Sequence, residues 1–169
     1  MEKHTYTLLK GSWGISITIF GRIFDKAFLG DDSIIADDGI YLSFSKEPLI
    51  RNEIFCKEDR ESIFKAVKMV RDYIVSNSPF HNNTVIQICS LQYSLCYYQE
   101  EAMIAAMLNW CSKTFHFELK RIDSRFDYEN NKYIFDFHNH LPSLQDDFGI
   151  QRDCDCVCIG DENFEERLC

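Results

Sequence analysis

The chain has 169 residues, 46% of them apolar and 14% aromatic, and a formal net charge of -9. That length suits one domain around one core, and the apolar content excludes a disordered chain. An acidic field repels phosphate, so binding of DNA or RNA through overall charge is excluded as a leading reading. The opening MEKHTYTLLKGSWG has no apolar run long enough for a signal sequence. Nowhere does a stretch of about eighteen uncharged apolar residues occur, so the expectation is a soluble, cytoplasmic protein with no membrane association. Eight cysteines without a secretory signal or a weak core read as free thiols packed as small hydrophobes.

In chain order, TYTLLKG, WGISITIFG and SIIADDGIYLSFS predict an antiparallel meander, with the Asp-Gly step as a tight hairpin turn. Gly11, Gly14, Gly21 and Gly30 fit no phosphate-loop spacing and are expected at turns or bulges. The next stretch changes period. Ile63, Val67, Val70 and Ile74 fall at helical spacing, predicting a helix over about 58–76 with one face on a sheet. TVIQICSLQYSLCYY is apolar on both alternating faces and predicts a central strand.

QEEAMIAAMLNWCSK predicts a second helix over about 99–113. Met103, Ala106, Met107 and Trp110 form one stripe, and Ile104, Leu108 and Cys111 lie near the opposite side. A helix apolar nearly all round is buried on two sides or docked to a partner, which leaves a structural, homo-oligomeric module as one reading. The last third returns to strand-like segments, TFHFELKRI, NKYIFDFHN and CDCVCIG, with DSRFDYENN as a hairpin connection. The expected fold is therefore α+β: a single domain over 1–169, a largely antiparallel β-sheet with two main helices packed on it, and an acidic C-terminal segment over 145–169.

Cys154, Cys156 and Cys158, with Asp136, His138 and His140 upstream, offer the right atoms for zinc. Residues two apart on a strand are about 6.5–7 Å apart, however, whereas zinc needs each sulfur within about 2.3 Å. No CxxC is present, and the alternation reads more simply as the core side of a strand. No metal or cofactor is assigned. The adjacent acid pairs, such as Asp31-Asp32 and Glu100-Glu101, diverge rather than converge on a metal, and no catalytic motif occurs. Enzymatic activity is not expected. The rival reading is a metal-binding protein or small enzyme using His138, His140, Cys154, Cys156 and Cys158.

The leading reading is physical. The segment from Gln145 onward carries eight acids against Arg152 and Arg167, a net charge of -6. Asp146, Asp147, Asp153, Asp155, Asp161, Glu162, Glu165 and Glu166 would steer a basic protein, and Phe148 and Phe164 would anchor it. Immunity proteins and antitoxins that inhibit nuclease toxins fit this description as a class, because a nuclease is basic in order to hold phosphate.

Overall fold

The computed structural model describes residues 1–29, 34–37, 39–45, 55–94 and 98–137. The chain opens with β1 (Glu2–Leu9), which turns into β2 (Gly14–Asp25) and pairs with it antiparallel, Glu2 opposite Gly21 and Leu9 opposite Gly14. The alternation of β2 puts Ile15, Ile17 and Ile19 into the core. β3 (Ile34–Asp37) and β4 (Ile40–Phe44) form a second antiparallel hairpin. Its turn places Gly39 at φ +82°, the left-handed region that the Asp-Gly step supplies.

Cys56 begins α1 (Lys57–Met69), its Sγ accepting a hydrogen bond from the Asp59 backbone N–H. Ile63, Ala66, Val67 and Val70 are sealed from solvent, as the helical stripe predicts. The single helix expected over 58–76 is interrupted, because Val70 leaves helical geometry at φ -116°, ψ 17° and α2 (Arg71–Asn77) starts anew. The break falls at a fully buried β-branched residue whose N–H reaches back to the Val67 carbonyl, a tighter turn than an α-helix makes.

β5 (Thr84–Tyr93) then enters between the two hairpins, antiparallel to β2 and parallel to β4. The sheet order is β1-β2-β5-β4-β3. Among the described strands only β4 and β5 run parallel, since the connection between them is long enough to carry α1 and α2 across the sheet. The β2–β5 ladder slips where Phe20 faces Ser90 but Gly21 faces Ile88, so Cys89 is the extra residue of a bulge.

α3 (Glu100–Phe115) packs on β1 and β2 along one side and on α1 along another. Ala102 to Leu108, Trp110 and Cys111 are all buried. His116, at φ 56°, ends the helix in the left-handed conformation.

The expected strand TFHFELKRI does not form. Phe115 closes α3, and residues 116–122 cross the core edge without regular structure, with Phe117 and Ile122 buried. The strand is instead the segment read as a connection: β6 (Asp123–Asp127) pairs antiparallel with β7 (Lys132–Asp136) as a separate hairpin. Its turn is held by Asp127 Oδ1, which accepts from the Glu129 and Asn130 backbone N–H groups.

Tyr133 ties this hairpin to the body. Its hydroxyl donates to the Trp13 carbonyl at 2.6 Å and accepts from the Lys10 N–H at 2.9 Å. Its backbone exchanges two hydrogen bonds with the Gln99 side chain. The Phe126 ring fills the space where a side chain at Gly11 would begin, a close approach only glycine permits.

Candidate functional site

The acidic candidates Asp146, Asp147, Asp153, Asp155, Asp161, Glu162, Glu165 and Glu166, and the anchors Phe148 and Phe164, lie outside the described residues. So do His138, His140, Cys154, Cys156 and Cys158, together with the expected strand CDCVCIG. Asp136 of the rival cluster is described; it ends β7, exposed, opposite Asp123. Among the described residues no group of three or more His, Cys, Asp and Glu side chains could hold a metal ion. Cys56, Cys89 and Cys111 are free thiols, and burial pushes the pKa of each one up.

Both stripes of α3 are covered by the chain's own elements: Met103, Met107, Trp110, Ile104 and Leu108 are each at most 4% exposed. The described residues include no helix long and apolar enough to cross a membrane.

The net charge is uneven along the chain, -3 over residues 1–144 and -6 over residues 145–169.

A buried polar cluster closes the N-terminal end of α1. Asp59, 1% exposed, receives the Tyr93 hydroxyl at 2.9 Å and 3.1 Å through its two carboxylate oxygens. The Tyr98 hydroxyl is sealed beside this pair with no hydrogen-bond partner among the described residues, and its ring packs on Tyr93 with centroids 5.0 Å apart. Burial first, and then Asp59, hold both phenols protonated well above their ordinary range. The Cys56 thiol, although at a helix start, is also pushed up, by burial and by hydrogen bonding to Asp59. Helix starts usually activate a thiol; this one is kept neutral, and no group of the cluster is poised as a nucleophile. Its work is to fasten α1 to the end of β5. Sequence reading does not reach this cluster, because Tyr93 and Tyr98 meet Asp59 only in the fold.

On another face, a cavity of about 270 Å³ opens between β1, the last turns of α3 and residues 119–124. Lys113, Lys120 and Arg121 line it, and among the described residues no carboxylate does.

No family model matches this chain. Neither a curated protein nor a solved structure matches it.

Proposed function

We propose that the protein is a small protein-binding protein that captures a basic partner through its acidic segment, residues 145–169, in the way immunity proteins and antitoxins neutralise nuclease toxins. The observation that supports this reading is the charge division: net -6 over residues 145–169 against -3 spread over the 144 residues before them. Two-thirds of the net charge lies in about a seventh of the chain, so attraction of a basic protein is concentrated in that stretch. Charges within a Debye length of one another, about 8 Å at physiological salt, act together on an approaching partner. Asp146, Asp147, Asp153, Asp155, Asp161, Glu162, Glu165 and Glu166 supply the attraction, and Phe148 and Phe164 supply apolar anchors of the kind that dominate binding energy. A nuclease is a suitable target because its phosphate-binding surface is basic.

The test begins with a pull-down from the source cell at low salt and elution by rising salt. Association of the identified partner is then measured by stopped flow at several ionic strengths. The variant Asp161→Lys/Glu162→Lys is expected to slow association and flatten its salt dependence. An association rate unchanged by this double reversal refutes the steering role of the segment.

A further inference from the structure

Eight of the fourteen described Lys and Arg side chains have an ion pair, aromatic ring or carbonyl beside them. Lys57 pairs with Glu61 and Arg71 with Asp72. Lys3, Arg22, Lys26, Arg60 and Lys68 each lie over an aromatic ring, and Lys10 donates to the Ser124 carbonyl at 2.6 Å. Lys65, Lys113, Lys120, Arg121, Arg125 and Lys132 have no such partner among the described residues, and of these Lys113, Lys120 and Arg121 line the same cavity. Lys113 alone has an ordinary explanation, since a cation in the last turn of a helix complements its dipole. Lys120 and Arg121 lie beyond the helix and gain nothing from it. The nearest acids in sequence turn elsewhere: Glu118 does not line the cavity, and Asp123 lines a neighbouring concavity with Asp136.

We infer that this cavity is a binding site for a small, multiply charged anion of the phosphate-ester or diphosphate class. Three cations lining one cavity match a dianion or trianion better than a single carboxylate. An Arg fork beside ammonium groups is the combination that grips phosphate oxygens.

Neutral donors complete the set. Asn109 and Tyr6 also line the cavity. Burial lifts Tyr6 to about 12, with the Arg121 charge opposing the rise, so the phenol keeps its proton to donate at neutral pH. The Ser112 hydroxyl is already committed to the Phe117 carbonyl at 2.7 Å. Leu8, Leu119 and Ile122 supply an apolar wall for the organic part of a phosphate ester. A volume of about 270 Å³ is of the size a sugar phosphate needs. The site is independent of the partner reading, because it uses no residue of the acidic segment.

The test is isothermal titration of the full chain with inorganic pyrophosphate, in chloride matched for ionic strength. Any competition from the chain's own acidic segment is then included in the affinity measured. Saturable one-site binding is expected, weakened about tenfold or more by Lys120→Ala or Arg121→Ala. Both residues are exposed, so the variants are expected to stay folded, which circular dichroism checks. Lys65→Ala, an exposed lysine on α1, is the control and should leave binding unchanged. Absence of saturable binding at millimolar pyrophosphate overturns the site, as does equal weakening by Lys65→Ala.

Discussion

Replacing Gly21 with alanine probes the tightest approach between the sheet and α3. A Cβ at position 21 would stand 2.6 Å from Trp110 Cζ2, 3.1 Å from Trp110 Cε2 and 3.2 Å from the Gln87 carbonyl oxygen. Carbon atoms pack best at about 3.5–4.0 Å, so the methyl must displace the indole by most of an ångström. The indole has little room to yield. It is fully buried, its Nε1 donates to the Glu2 carbonyl at 3.4 Å, and Phe115 and His4 meet it edge-on. Overpacking of this kind costs about 1–3 kcal/mol. In a chain of this length each kcal/mol lowers Tm by about 2–4 °C. Calorimetry and urea melts of Gly21→Ala should therefore show a Tm lower by about 2–12 °C. Trp110→Phe removes the atoms that collide, so the penalty of Gly21→Ala measured in that background should shrink by about 0.5–3 kcal/mol. Parental stability for Gly21→Ala, or an undiminished penalty beside Phe at 110, would refute the steric argument.

Asp59→Ala leaves the Tyr93 hydroxyl without its acceptor and should cost about 1–3 kcal/mol in urea denaturation; adding Tyr93→Phe should recover part of that loss, and strict additivity would show the two side chains to be uncoupled. His4 lies on β1 against Trp110 with its Nε2 unpaired, and burial followed by the Lys113 charge lowers its pKa from 6.5. The unfolded chain therefore binds the extra proton first as pH falls. Stability should be fully present above about pH 6.5, decline below it, and level off beneath the folded-state value. Urea midpoints at about pH 7.5 and 5.5 should differ less for His4→Gln than for the parent, and an identical difference would exclude His4 as the cause.

Much of the fold is visible in residue periodicity. The stripe from Ile63 to Val67, the Asp-Gly turn before Ile40, the two-sided burial of β5 and the placement of Gly21 beside a bulge all follow from local chemistry. The errors cluster where local pattern and tertiary context compete. TFHFE alternates like a strand, but Phe115 is held by α3 and Phe117 by the core, with the Phe117 ring stacked on Tyr73. DSRFD has one apolar residue and no strand signature; β6 exists because β7 lies beside it and Phe126 packs on Trp13 and Tyr133. The acidic segment is legible as composition alone. The cationic cavity is not, since Lys113 and the pair Lys120 and Arg121 read as ordinary surface charge until the turn after α3 brings them to one opening.

The position of β5 also constrains how the chain comes off the ribosome. The β1–β2 and β3–β4 hairpins are synthesised first, and neither shares a ladder with the other. Until Thr84 to Tyr93 emerges, β2 and β4 each present an open inner edge, and a lone two-stranded hairpin is marginal in water. Translation at about 5–20 residues per second makes this a wait of seconds. A nascent chain stalled before Thr84 would thus display two unpaired strands, and it is the form of this protein most exposed to aggregation and to chaperone capture.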